Sequence, residues 1–185
     1  VADCVIWLDA DVLVFAPQLR IAPQTTCLFG YELWVQPKRG KFGFEVRGNV
    51  HNAVAAFRQE CPILPFLIEV IQRLMRRADP EHIAPQMMGP KLLSHLHNLA
   101  DFELTHAIGA VSPALHRDLA DGSGAALQAW GQRVQEPILA ANLAASTASE
   151  VAATAVEVDA CLHTVIDALS LCVGGFAGAT SLVKS

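Results

Sequence analysis

The feature that most restricts this chain is an apolar run interrupted by two acids. Val5-Ile6-Trp7-Leu8 is continuously apolar and rich in strand formers, the pattern of a strand covered on both faces. It stops at Asp9-Ala10-Asp11 and resumes as Val12-Leu13-Val14-Phe15 before Ala16-Pro17 breaks it. Side chains two apart on a strand share a face, so a strand persisting through this segment projects Asp9 and Asp11 the same way. Two carboxylates held together repel, and desolvation at an apolar edge adds to the cost. A hard divalent cation, Mn²⁺ or Mg²⁺, answers both problems. It takes oxygen ligands, typically one or two carboxylates with the rest from water and substrate phosphates. The pair therefore suits a metal-diphosphate and is too sparse to hold a metal alone. The plainer alternative is that Asp9 and Asp11 cap a strand end, although acids bracketed by apolar strand segments are costly to place without a partner.

Further strands are expected at Thr26 to Phe29, Asn52 to Phe57 and Phe102 to Ala107, with a Gly- and Lys/Arg-containing loop or hairpin from Gln36 to Gly48. Pro62 and Pro65 open a helix over Ile63 to Arg77, with Leu64, Leu67, Ile68, Ile71, Leu74 and Met75 at helical spacing. Proline is tolerated in a first turn because its missing N–H would be unpaired there anyway. Gly89-Pro90 precedes a second helix, Lys91 to Asn98, with Leu92, Leu93 and Leu96 on its apolar face. Strands and helices alternate through about 120 residues, which predicts an α/β layered domain. After Gly122-Ser123-Gly124 the chain is rich in Ala, Ser, Thr and Val, with helical spacing from Ile138 to Leu171. The expected division is thus a core over residues 1–121 and an Ala-rich, mostly helical tail over 122–185. There is no internal repeat.

Composition narrows the partners. At 185 residues and 52% hydrophobic, the chain is large enough to bury a core, as one domain or a piece of a larger one. A net charge of -5 argues against nucleic acid, which calls for a basic face. Lys38, Arg39 and Lys41, and Arg73 with Arg76 and Arg77, are local basic groups, each a solvated face or enough for a diphosphate. The five cysteines have no CxxC spacing, so neither zinc nor a disulfide framework is indicated. The sequence opens directly into a strand with no initiator Met, and the expectation is that something precedes Val1. Ala168 to Val183 lacks charge but is short for a membrane span and is broken by Gly174, Gly175 and Gly178.

Trp7-Leu8-Asp9-Ala10-Asp11-Val12-Leu13-Val14-Phe15-Ala16-Pro17 resembles the DxD segment of GT-A-type glycosyltransferases, in particular the sugar-binding DxD proteins grouped with α1,4-glycosyltransferases and initiating mannosyltransferases. His51-Asn52-Ala53-Val54-Ala55-Ala56-Phe57 followed by Pro62 is similar to that family's second block, and Met88-Gly89-Pro90-Lys91-Leu92-Leu93 to its third. Together the blocks cover residues 1–121. The resemblance implies a partial GT-A-like, Rossmann-type mixed sheet with flanking helices, the N-terminal nucleotide-binding strands missing, and a helical C-terminal tail. It implies Asp11 as a direct metal ligand, and Asp9 at the donor ribose or sugar, supporting the metal through water. Asn52 would lie near the donor sugar, and Gly89-Pro90 would form a turn on the acceptor side. The plainer alternatives are a strand-end hydrogen-bonding role for Asn52 and an ordinary helix-start turn for Gly89-Pro90.

The chain departs from the pattern in three places. Glu60-Cys61 stands where the family has Gly-His, the nucleotide pocket strands are absent, and the family's C-terminal metal His has only His163 as a match by position. The implied activity is hexosyl transfer from a nucleotide-diphosphate sugar to a hydroxyl of a glycan, glycolipid or other acceptor, metal-dependent and retaining. The isolated chain would turn over poorly without its nucleotide pocket. Such relatives work in the Golgi lumen or the bacterial cytoplasm, and a membrane association would come only through upstream sequence. No protein base is required, and the spacing of Glu45, Glu103 and Asp121 selects none of them. Two competitors stand beside this reading. One is a non-catalytic, truncated binding domain. The other is a haloacid-dehalogenase-type phosphatase with Asp9 as nucleophile, which is disfavoured by Leu13 at its Thr/Val position and by Asp118 and Asp121 lacking the expected Gly and spacing.

Overall fold

A sharp reversal between Pro37 and Phe44 organises the first sheet. Gly40 and Gly43 take positive φ (65° and 94°), and Lys38 N–H donates to the Gly43 carbonyl at 3.0 Å. That backbone conformation favours glycine, and it lets two long strands pair. The strands are β3 (Cys27–Pro37) and β4 (Phe44–Arg58), so the segment from Gln36 to Gly48 is a hairpin. The computed structural model describes residues 3–79, 87–100, 102–144 and 154–171. Among these the other strands are β1 (Cys4–Leu8), β2 (Val12–Val14), β5 (Glu103–Thr105), β6 (Ile108–Ala110) and β7 (Ala140–Asn142). The helices are α1 (Ile63–Arg77), α2 (Pro90–His97), α3 (Pro113–Ala120), α4 (Ala125–Gly131) and α5 (Ala155–Ser170).

The architecture is mixed α/β with two mixed sheets. One has the order β1-β4-β3-β5, with β1 antiparallel to β4 and β3 parallel to β5. The other has the order β2-β7-β6, with β2 antiparallel and β6 parallel to β7. The chain divides into two compact units: residues 1–8, 20–31 and 49–105, and residues 9–19, 32–48 and 106–185. Residues 122–144 and α5 therefore share a unit with the segment beginning at Asp9.

The first unit is built on Phe29, whose ring meets Phe57 and Phe102 edge-on at 5.6 and 4.9 Å. Leu67 from α1 and Leu93 and Leu96 from α2 pack into the same cluster as Cys27, Val50, Ala55 and Cys61. The helix expected over Ile63 to Arg77 is present with those bounds, and the expected Lys91–Asn98 helix starts one residue earlier and ends at His97. Two expectations of cover fail. β1 was read as buried on both faces, yet Val5 (63%), Ile6 (49%), Trp7 (61%) and Leu8 (37%) are exposed. β1 is an edge strand hydrogen-bonded to β4 along one side, and such pairing joins strands edge to edge without covering either face. Likewise Leu67 is the buried residue of α1, while Leu64, Ile68, Leu74 and Met75 remain exposed.

The second unit packs Leu127 and Trp130 of α4, Leu115 and Leu119 of α3, and Val165 and Leu169 of α5 around Phe15, Val35 and Ala141. Ser112 caps α3 by accepting the Leu115 N–H at 3.4 Å, and Pro113 follows at the first helical position. α5 opens with a capping box in which Thr154 and Glu157 satisfy each other's backbone N–H groups. Helical spacing from Ile138 to Leu171 is corrected at its start, because Ala140–Asn142 is the strand β7 between β2 and β6. Small apolar residues fit a completely covered central strand as readily as a helix face, so periodicity alone misassigns them. Most of the charge-free stretch from Ala168 to Val183 lies outside the described residues. Among the described residues no helix is long and apolar enough to cross a membrane.

Candidate functional site

The two acids do not continue a strand. β1 ends at Leu8 and β2 begins at Val12, and between them Val12 N–H donates back to the Asp9 carbonyl at 3.1 Å. The alternation that would set both carboxylates on one strand face therefore does not apply, which corrects that expectation. Asp9 and Asp11 instead occupy one tight, half-buried turn.

The sheet of the second unit places that turn. β6 and β7 run parallel, and β2 runs against them, with Val12 and Ala110 both opposite Asn142. The carboxyl ends of β6 and β7 consequently meet the amino end of β2, where the turn lies. This is the rim at which open α/β sheets bind ligands. Leu143 N–H donates to the Asp11 carbonyl at 3.0 Å, and Val111 N–H donates to the Asn142 carbonyl at 2.9 Å. The next residue, Ala144, takes a left-handed φ of 46°, and its N–H is held by Asn142 Oδ1 at 2.8 Å. A non-glycine residue in that region is sparsely populated and persists only where its surroundings fix it.

His116 supports this rim from inside. It is fully buried on α3, and its Nε2–H donates to the Leu143 carbonyl at 2.7 Å. Burial pushes its pKa down against the opposing pull of that carbonyl, so the ring is neutral and tied to one tautomer. His116, Leu143 and Asp11 form a continuous relay from the core to the acidic turn. Sequence reasoning missed both His116 and Asn142. The signal for Asn142 was available: Ile138-Leu139-Ala140-Ala141 is another short apolar run ending in a polar residue at a strand terminus.

In the first unit, the residues implied by resemblance come together in part. Asn52 is on the exposed face of β4, and a Cβ added at Gly89 would lie 2.6 Å from Asn52 Oδ1. The amide side chain thus lies close over Gly89, and a larger residue there would require Asn52 to turn aside. Pro90 begins α2, and Val50 N–H donates to Ser94 Oγ of that helix at 3.0 Å. His51, adjacent to Asn52 but pointing inward, is buried over Gly30.

Three residues of uncertain role receive structural ones. Glu103 accepts the backbone N–H groups of Gln24 (2.9 Å) and Thr25. Burial raises its pKa, but those donors outweigh it and hold the carboxyl below its ordinary range. Glu45 is held low chiefly by the Gln36 amide at 2.6 Å, with Arg47 at 2.8 Å adding to it. Asp118 Oδ2 accepts the Leu127 N–H at 2.9 Å and lies against Gly124. It caps a helix whose preceding glycine has no side chain to do so. His163 is exposed on α5, bonded through Nδ1 to the Asp159 carbonyl at 2.9 Å. Among the described residues no three His, Cys, Asp or Glu side chains cluster as a metal site.

The chain was compared with protein-family models, curated proteins and solved structures, and none matches.

Proposed function

We propose that this chain is the acidic-turn portion of a metal-dependent glycosyltransferase, acting on a nucleotide-diphosphate sugar and an acceptor hydroxyl. The observation that carries this reading is the placement of Asp9 and Asp11 at the carboxyl rim of β6 and β7, with the Asp11 backbone fixed by Leu143 and, through it, by His116. Two carboxylates, with no third His, Cys, Asp or Glu grouped with them among the described residues, fit an Mn²⁺ or Mg²⁺ ion whose remaining positions would be filled by diphosphate oxygens and water. Such an ion supplies Lewis-acid stabilisation of charge developing on the leaving diphosphate. Asp11 is the direct ligand in this reading, and Asp9 contacts the donor and supports the ion through water. Asn52, near the donor sugar, and Gly89-Pro90, on the acceptor side, are in the first unit and rest on the resemblance alone. No side chain is assigned as a general base.

The finer fold reading is also a proposal: a partial GT-A-like, Rossmann-type sheet to which further nucleotide-binding strands are added. What supports it is β1, which is apolar on two exposed faces and offers an open edge. A strand apolar on both faces belongs inside a sheet.

The test is release of nucleoside diphosphate from a panel of nucleotide sugars in Mn²⁺. Loss of release in Asp11→Ala, with the fold retained, is the expected outcome. Phosphate release from a generic phosphomonoester, abolished by Asp9→Asn, would favour the phosphatase reading instead. The structural use of Asp118 as a helix cap already weighs against that competitor.

A further inference from the structure

The tip of the β3–β4 hairpin gathers positive charge and an aromatic ring that the acidic turn does not use. Lys38, Arg39 and Lys41 fall within four positions, in a chain where 18 acids outnumber 13 Lys and Arg. All three are exposed, and among the described residues none forms an ion pair. Glu45, the nearest acid in sequence, is engaged instead by the Gln36 amide at 2.6 Å and the Arg47 guanidinium at 2.8 Å. Beside the cations stands Phe42, fully exposed (104%) and the most open large apolar side chain among the described residues.

The hairpin presents this tip on a packed base. Val35 is buried in the core cluster of the second unit, and Leu33, Phe44 and Val46 pack against that cluster. Beyond them the turn stands clear: a Cβ added at Gly40 or Gly43 would meet nothing within 4 Å.

We propose that this tip docks on an anionic lipid bilayer, Phe42 entering the interface while Lys38, Arg39 and Lys41 meet the charged headgroups. The two kinds of side chain select the partner together. Cations alone suit any phosphate, but a soluble phosphate leaves the Phe42 ring in water. A bilayer offers apolar depth and negative charge at one surface. Single-stranded nucleic acid, by contrast, is tracked along a groove in which several aromatic rings stack its bases. The excess of acid lies elsewhere in the chain and is repelled by the same membrane, which leaves the tip to face it. One ring and three charges supply weak, reversible attachment. This contact differs from the expectation that membrane association would come only through upstream sequence. It is independent of the acidic-turn reading, so either can fail alone.

The experiment is co-sedimentation of the whole chain with vesicles of phosphatidylserine and phosphatidylcholine in equal parts, beside vesicles of phosphatidylcholine alone. Binding to the mixed vesicles only is expected, and it should vanish toward 1 M salt, where screening contracts to about 3 Å. Each cation at such a surface strengthens binding about fivefold, so Lys38→Gln, Arg39→Gln and Lys41→Gln together should weaken it by roughly a hundredfold. Phe42→Ser should weaken it by about tenfold, with the thermal midpoint unchanged. Phe42→Trp should show a blue shift in emission with mixed vesicles that the wild-type tryptophans do not. Should the triple variant not fold, that emission decides, and an absent shift overturns the proposal. Equal binding to phosphatidylcholine alone, or undiminished binding by a folded triple variant, would also overturn it. So would capture of single-stranded DNA with no binding to vesicles, which would assign the tip to nucleic acid.

Discussion

The strands on either side of the acidic turn have similar sequences and differ in degree of cover, Val12 and Leu13 being half-buried while Val14 is exposed. β1, Cys-Val-Ile-Trp-Leu, lies at a sheet edge with its apolar side chains exposed on both faces. β2, Val-Leu-Val, opens a sheet whose neighbours are among the most covered residues of the second unit, including Ile108, Ala140 and Ala141. The contrast extends to the helices: α1 buries Leu67 and leaves Leu64, Phe66, Ile68, Leu74 and Met75 exposed, whereas α5 buries both Val165 and Leu169 completely. An apolar run therefore specifies a strand or helix but does not specify what covers it. Cover is a property of topology: in the second unit Leu13 and Phe15, just past the acidic turn, pack into the cluster that holds Leu115, Leu127, Val165 and Leu169.

Core truncation should break this comparison most strongly. Leu169→Ala or Leu127→Ala in the second unit should destabilise by about 2–5 kcal/mol in urea titration, through lost burial and the cavity left behind. The change should appear as a shifted midpoint reported by the buried Trp130. Values near zero would mean that this core is not closed. A smaller loss is expected for His116→Leu, about 1–3 kcal/mol, because the Leu143 carbonyl is left without its buried donor. His116→Gln, which keeps a donor, should recover part of that loss.

The same histidine gives the second unit a pH dependence near neutrality. Its folded pKa is lowered by burial, so the unfolded chain binds the proton more readily. Stability is then present above the unfolded value of about 6.5 and is lost as pH falls through it toward the lower folded value. In the first unit, Cys27 is shifted the other way. Its folded pKa is about 12 against an ordinary 9.0, so the unfolded thiol ionises first and stability falls as pH rises above about 9. Thermal melts across the pH range check both limbs. Cys27→Ser should flatten the alkaline limb, and His116→Gln should flatten the limb below neutrality. Both limbs unchanged in these variants would show that other groups carry them.

The smallest effect on stability should come from the exposed strand. Trp7→Lys is expected to change it by no more than about 0.5 kcal/mol, while reducing self-association seen by light scattering. That substitution places a charge on an open apolar edge strand, the usual protection against edge pairing. A large destabilisation would mean that Trp7 is covered.

Local signals made much of the fold legible. The α1 bounds follow from Pro62, Pro65 and a clean helical period. The β3–β4 reversal follows from two glycines that adopt positive φ. What stayed hidden depended on distant segments. β7 was hidden because Ala140-Ala141-Asn142 carries no side chain that distinguishes a covered strand from a helix face. The β1 exposure was hidden because nothing in Val-Ile-Trp-Leu records that it is an edge. At the candidate site, Asp9 and Asp11 were visible, but their turn was read as a strand. His116 and Asn142, separated from the turn by about a hundred residues or more, join it through hydrogen bonds to and from the Leu143 and Ala144 backbone, and for His116 no sequence pattern announces that.

In the proposed reading a divalent cation and a pyrophosphate group reconcile the two rim acids, and calorimetry tests this directly. Mn²⁺ should be titrated calorimetrically into the chain with inorganic pyrophosphate present, for the wild type and for Asp11→Ala. The account predicts pyrophosphate-dependent Mn²⁺ binding by the wild type and its loss in the variant, whose thermal midpoint is unchanged or raised by relief of charge repulsion. Equal binding by the two proteins, or none by the wild type, would contradict it.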